Sequence, residues 1–208
     1  MRKSKEEAAK TRVRIVHSAA DELRKNGIAR TALAELMHEA DLTHGGFYRH
    51  FKSKDQLVAE ACAVAMDSLI ASMSGAASKK GTRNALTLSI SKYLSRDHRD
   101  HPENGCPLAS LGSELARCDN NIRKVATDAF RGLVGLVEGQ MELPQRAAKR
   151  RAIVAACTMI GAMTISRIVD DPTLSDAILK EAERSLASTS ARDEPLAASL
   201  RERVASGA

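Results

Sequence analysis

The sequence predicts an all-α protein, and three observations carry the prediction. Good helix formers (Ala, Leu, Arg, Glu, Lys) dominate the 208 residues. Apolar residues recur at spacings of three and four rather than two. Runs of β-branched residues, which favour strands, are few. About nine helices follow, arranged as a three-helix N-terminal domain and a larger helical C-terminal domain.

Residues 1–6 read as a basic arm. A first helix is predicted from Glu7 to Lys25, with Val13, Val16, Ala20 and Leu23 on one face. Asn26-Gly27 ends it, because glycine adopts the left-handed conformation at little cost. Thr31 reads as the N-cap of a second helix to Ala40, with Leu33, Leu36 and Met37 inward. Asp41-Leu42 is a tight turn. Thr43 caps a short third helix, and Ser53 caps a fourth, from 53 to 74, that connects the two domains.

Gly75 to Gly81 reads as a loop. A fifth helix is predicted from Thr82 to Ser95, with Leu86, Ile90, Tyr93 and Leu94 inward. Arg96 to Gly105 reads as an exposed connection. Cys106-Pro107-Leu108 opens a sixth helix to Arg117. Asn120 or Asn121 caps a seventh, to Met141, and an eighth starts near Pro144 and reaches Val169. Asp171-Pro172 breaks the chain before a ninth helix, Thr173 to Ser188. Residues 190–208 read as a loose tail or a short extra helix. The domain boundary is placed at 52/53, giving domains 1–52 and 53–208.

The net charge is +6, with a pI of about 9.3. From Met1 to Lys54 there are twelve Lys and Arg against seven Asp and Glu, so most of the excess lies in the first quarter. This balance is compatible with a nucleic-acid partner. Met1 to Lys10 is polar, with no apolar region of a secretory signal after it. The longest uncharged apolar stretch, Ala152 to Ser166, is shorter than the roughly 20 residues a membrane helix needs. The expectation is no membrane partner. Cys62, Cys106, Cys118 and Cys157 are scattered without metal-ligand spacing, which predicts reduced thiols, a cytoplasmic protein and no cofactor. His98 and His101 lack third and fourth ligands nearby and read as polar loop residues rather than a metal site.

The chemistry gathers at residues 43–57. The chain has three Phe, two Tyr and no Trp, yet Phe47, Tyr48 and Phe51 fall within five positions. Phe47 and Phe51 share a helix face and are assigned to a small core. Tyr48, Arg49 and Lys52 point elsewhere, giving a basic, hydroxyl-bearing outer face. Gly45 and Gly46 weaken a helix by about 1 kcal/mol each, but let backbone come close to base edges. Thr43 and His44 lead the segment, where side chains of a helix-turn-helix reach bases. Thr31 is expected to meet phosphate through its hydroxyl and N–H. The alternative is that Thr31 and Thr43 are only caps and Tyr48 only packs. Arg2, Lys3 and Lys5 either follow a phosphate strand or are merely solvated.

Thr31-Ala-Leu-Ala-Glu-Leu-Met37, then Ala40-Asp-Leu-Thr-His-Gly-Gly-Phe-Tyr-Arg-His-Phe51, then Ser53-Lys-Asp55 and Leu57 closely resemble the DNA-binding domain of TetR/AcrR-family transcriptional regulators. The resemblance covers about residues 10–60. It implies that Tyr48, His50 and Lys54 contact phosphate. It also implies a homodimer on double-stranded operator DNA, a small-molecule effector in the C-terminal domain, repression as the usual outcome, and no enzymatic activity. The eighth and ninth helices suit a dimer interface, where Ala155, Ala156, Gly161 and Ala162 would allow close helix approach; the alternative is packing within one chain.

Cys106 follows Gly105 at the start of the sixth helix, where a helix N-terminus favours thiolate. It is a candidate electrophile or oxidant sensor, and Gly-Cys-Pro here resembles a subset of the family. The alternative is a small packing residue at a turn. Candidate pocket residues, among them Met66, Met73, Phe130, Met159 and Met163, read first as core and only second as ligand-lining. Two other functions stay open: a helical small-molecule-binding protein with a vestigial DNA-binding domain, and a nonspecific DNA-binding protein.

Overall fold

The computed structural model describes residues 5–40, 42–78 and 85–205, with side chains described except at 44, 76–78 and 189–205. Among the described residues there are nine α-helices, two short 3₁₀ helices and no strand. The helices are α1 (Lys5–Asn26), α2 (Leu33–Glu39), α3 (Lys54–Ser78), α4 (Ala85–Tyr93), α5 (Arg96–Asp100), α6 (Pro107–Leu115), α7 (Asn120–Glu138), α8 (Gln145–Ile168) and α9 (Pro172–Ala205). The 3₁₀ helices are His44–Arg49 and Pro102–Asn104. The all-α class is as expected.

Several local predictions change. Gly75 lies inside α3, because the apolar pattern that begins at Leu57 continues past it. The segment from Arg96 to Gly105 is two short helical pieces rather than an exposed connection. Ser95 Oγ accepts the His98 N–H at 3.1 Å and so starts α5. His98 is buried, with its ring edge-on to Tyr93 at 4.6 Å and Nδ1 2.6 Å from the Tyr93 carbonyl. Asp119, not Asn120 or Asn121, caps α7, accepting the Ile122 N–H at 2.9 Å. α9 continues through Pro195 to Ala205, in place of the loose tail or separate short helix that the sequence predicts. Ala, Leu, Arg and Glu around the proline are strong helix formers, set against the roughly 3 kcal/mol that an interior proline costs through a lost ladder N–H and a clash with the carbonyl four residues back. The arm residues Arg2 and Lys3, Asp41, the loop end after Ser78, the predicted start at Thr82 and residues 206–208 lie outside the described residues.

By packing, the chain divides into two compact units: Met1–Leu69 with His101–Arg131, and Ile70–Asp100 with Gly132–Ala208. This division differs from the 52/53 boundary, which follows the helix-turn-helix pattern alone. In the first unit, Ile15, Ala19 and Leu23 of α1, Leu36 and Met37 of α2, Phe47, Phe51, and Leu57 and Val58 of α3 form one core. Leu111 and Leu115 of α6 and Ile122 of α7 belong to that same core. Each such side chain contributes roughly 1.5–3 kcal/mol when fully buried, so α6 is a structural member of the unit.

In the second unit, α8 packs on α9, with α4 also on α9 and α5 on α8. Buried Ala148, Ala152, Ala155, Ala156, Met159 and Met163 form the inner face of α8. Ser175 Oγ donates to the Ser166 carbonyl at 2.6 Å, joining the start of α9 to the end of α8. Arg99 donates to Ser175 Oγ at 2.9 Å and to Asp176 at 2.8 Å, tying α5 to α9. A Cβ on Gly132 would stand 2.9 Å from Ile70 Cδ1, so this glycine lets α7 approach the end of α3 closely.

Candidate nucleic-acid interface

Segment 43–52 is held by its inner residues, and several of its outer ones are exposed. Gly27 ends α1 with φ of 87°, its N–H bonded to the Leu23 carbonyl at 2.8 Å. The expected N-cap at Thr31 is corrected: Ala32 holds the cap position of α2, and its N–H donates to Glu35 Oε2 at 2.9 Å. Thr31 is 1% exposed and its hydroxyl donates to the Gly27 carbonyl at 2.6 Å. That hydroxyl braces the turn instead of facing phosphate. Apolar packing of α2 through Leu36 and Met37 rotates Thr31 inward, which its residue type does not reveal.

Thr43 occupies the N-cap position of the recognition segment, with φ of −84° and ψ of 149°. Its carbonyl accepts the Gly46 N–H at 2.9 Å, and its side chain is exposed and makes no capping bond. The segment is 3₁₀ rather than α-helical. His44 opens it, and its side chain lies outside the described residues. Phe47 and Phe51 stack at 5.5 Å and are almost fully buried, as assigned from their spacing. Tyr48 is 67% exposed with its ring edge-on to Phe47, so its hydroxyl is carried outward on a fixed base. Arg49 and Lys52 are exposed beside it.

The two glycines are informative. Neither has positive φ, since Gly27 is the one glycine with that conformation among the described residues. A Cβ on Gly45 would meet nothing within 4 Å, and one on Gly46 would make ordinary contacts at 3.9 Å. Nothing inside the chain therefore requires glycine at either position.

Lys54 sits differently from expectation. Its ammonium donates to the Ile28 and Thr31 carbonyls, each at 2.7 Å, which commits two of its three protons to the α1–α2 turn. Lys54 is half-buried and braces the turn from α3. His50 is also half-buried, and its carbonyl accepts from Arg12 Nε at 3.3 Å. Arg12 further lies 4.5 Å over the Phe51 ring and grips the Glu60 carboxylate. Arg12 and Glu60 were not singled out from sequence. They are 48 positions apart, and no local pattern pairs them.

Ser53 caps α3 as predicted, its Oγ accepting the Gln56 N–H at 3.2 Å. Gln56 Oε1 in turn accepts the Lys52 N–H at 2.8 Å. Cys106 holds the N-cap of α6 and is fully buried, while the adjacent Gly105 carbonyl accepts from Arg24 at 2.9 Å. Burial pushes the Cys62 thiol up to about 12, leaving it a poor nucleophile. No group of three or more His, Cys, Asp or Glu suited to a metal occurs among the described residues.

Residues 15–61 match the family model of bacterial regulatory proteins of the tetR family. Residues 83–181 match the C-terminal domain of LmrA/YxaF-like transcriptional regulators. The chain is 43% identical over 58 residues to the HTH-type transcriptional regulator TtgR of Pseudomonas putida, 28% of each chain. It is 34% identical over 59 residues to a probable acrEF/envCD operon repressor of Escherichia coli, 28% of this chain and 27% of that one. The matches thus span under a third of the length of these curated relatives. Among solved structures, a TetR-family regulator from Cytophaga hutchinsonii is similar with TM-score 0.73, at 22% identity, over 89% of this chain and 98% of that one. Reduced E. coli NemR is similar with TM-score 0.72, at 18% identity, over 85% and 95%. The solved structures share the fold of both parts. With one family model over the recognition segment and the other over most of the remaining helices, the chain belongs to the TetR family of bacterial transcriptional regulators.

Proposed function

We propose that the protein is a dimeric repressor that binds a palindromic operator and leaves it when a small-molecule effector binds its second unit. The observation that carries the reading is the pair Gly45 and Gly46. Their absent side chains serve no internal contact, and glycine loses more conformational freedom on folding than any other residue. Close approach of backbone to DNA is the benefit that offsets this. The reading assigns Thr43, His44, Gly45 and Gly46 to the bases and Tyr48 and His50, with Arg49 and Lys52, to phosphates; Lys54 serves by holding the α1–α2 turn. Placement in the cytoplasm follows from this role.

The dimer is supported by α8. Val154, Ile165 and Ile168 are 63%, 47% and 69% exposed, and with Cys157 and Gly161 they form one stripe at spacings of three and four. Such a stripe is costly in water and suits a second copy across a two-fold axis. The two recognition segments would then lie roughly 34–36 Å apart, one turn of DNA. Effector binding would favour a conformation in which that spacing is lost. Cys106 as an alternative input requires α6 to open first, because the thiol is buried.

The test is selection of binding sites from random duplex DNA, followed by footprinting. A palindrome protected on two successive turns is expected. Binding of all sequences alike would refute the repressor reading and favour a nonspecific DNA-binding protein.

A further inference from the structure

The six residues between α1 and α2 are held from two sides by opposite chemistry. On one side Lys54 of α3 donates to the carbonyls of Ile28 and Thr31. On the other, the Glu114 carboxylate of α6 accepts the N–H of Ile28 at 3.1 Å and of Ala29 at 2.8 Å. The fit is close: a Cβ on Gly27 would stand 2.8 Å from Glu114 Oε2. The other end of α6 is also fastened to α1, through Arg24 Nη1 and the Gly105 carbonyl at 2.9 Å. Arg24 is itself 8% exposed and is oriented by Asp21 at 2.7 Å. Between these anchors, Leu111 and Leu115 enter the core shared with Leu36 and Phe47.

The course of the chain makes this arrangement consequential. Residues His101–Arg131 leave the second unit after Asp100, pack into the first, and return at Gly132. α6 lies in the middle of that excursion. A shift of α6 along its axis would pull the Ile28 and Ala29 amides, which lead directly into α2 and the recognition segment.

We propose that Glu114 is a positioning residue for DNA reading, through which α6 sets the α1–α2 turn directly, alongside Lys54 of α3. Glu114 touches no DNA in this scheme. It fixes the turn, and the turn fixes the entry of α2. The inference rests on the repressor reading, because it needs a DNA-bound state to position.

The experiment uses the full-length protein and a duplex selected by the wild type from random DNA. Glu114→Ala is expected to lower affinity for that duplex about tenfold, the equivalent of one charge-assisted hydrogen bond. The salt dependence should keep its slope, since no phosphate contact is lost. Amide exchange at Ile28 and Ala29 should quicken by about tenfold or more. Glu114→Gln keeps one acceptor oxygen and should fall between wild type and Glu114→Ala on both readouts. A Glu114→Ala protein that melts lower but binds the duplex as tightly as wild type well below its melting point would overturn the proposal. So would lost affinity in Glu114→Gln with unchanged exchange at Ile28 and Ala29. Failure of the wild type to enrich any sequence would instead overturn the repressor reading, and the positioning role with it.

Discussion

Arg12 holds both carboxylate oxygens of Glu60, each at 2.6 Å, and with the same guanidinium covers the Phe51 ring and bonds the His50 carbonyl. One side chain of α1 thus joins the end of the recognition segment to α3. The Arg12 hydrogen bond is the main reason the Glu60 carboxyl titrates below its usual range. In the unfolded chain Glu60 returns to an ordinary carboxyl value of about 4.3. The pair therefore contributes its full stability above that value and loses it as pH falls through the lowered folded value. Glu60→Gln should cost about 1 kcal/mol near neutral pH, a modest figure because both side chains are about one-third exposed. The cost should shrink at about pH 3, below the unfolded carboxyl value, where the unfolded chain binds the proton more readily than the folded one. Urea unfolding at the two pH values checks this.

Gly27 and Gly45 should respond oppositely to alanine. Gly27→Ala places a Cβ in a left-handed conformation and 2.8 Å from Glu114 Oε2. It should destabilise the protein by about 1–2 kcal/mol. Gly45→Ala meets nothing within 4 Å. It should leave stability unchanged or raise it by up to about 1 kcal/mol, while weakening binding to the selected duplex. Denaturation and duplex titration on the two variants separate the two roles.

Tyr48 and Thr43 should differ in what they do to specificity. Removal of the exposed phenol in Tyr48→Phe should weaken binding to every sequence alike, as a phosphate contact does. Thr43→Ala should cost about 1–3 kcal/mol at one base position and relax preference there. Repeating the site selection with each variant reads the difference directly.

Ile165→Arg places a charge in the middle of the exposed stripe of α8, where Ile165 is 47% exposed. The helix should be unperturbed within each protomer, and the dimer should dissociate. Sedimentation is expected to show a monomer with wild-type helicity. A dimer of unchanged affinity would place the interface elsewhere.

Cys106 and Cys157 provide an internal comparison of thiol access. Cys106 is buried and Cys157 is exposed. Alkylation followed by mass spectrometry should modify Cys157 first. If Cys106 reacts with that speed, α6 opens in solution and the thiol is accessible to an electrophile or oxidant.

Much of the DNA-reading half was legible in the residues themselves. The spacing of Phe47 and Phe51, the cap at Ser53 and the left-handed stop at Gly27 are local events, governed by side chains within four positions of one another. The same locality explains where the reading was incomplete. Thr31 has the chemistry of a cap, yet the packing of α2 turns it inward. Lys54 has the charge of a phosphate contact, yet two carbonyls more than twenty positions earlier take most of its protons. His98 reads as a polar loop residue, yet the Tyr93 ring and carbonyl enclose it.

The sequence by itself determined the all-α class, the long helices, the stop at Gly27, the cap at Ser53 and the likeness to TetR-family regulators, because periodicity, capping and turn chemistry act over one or two helical turns. The tertiary structure alone decided that α6 belongs to the DNA-reading unit and that Glu114, Arg12 and Arg24 hold it together. Those bonds join residues 48 to 86 positions apart, and pairing at that range depends on the packed core that brings the helices together.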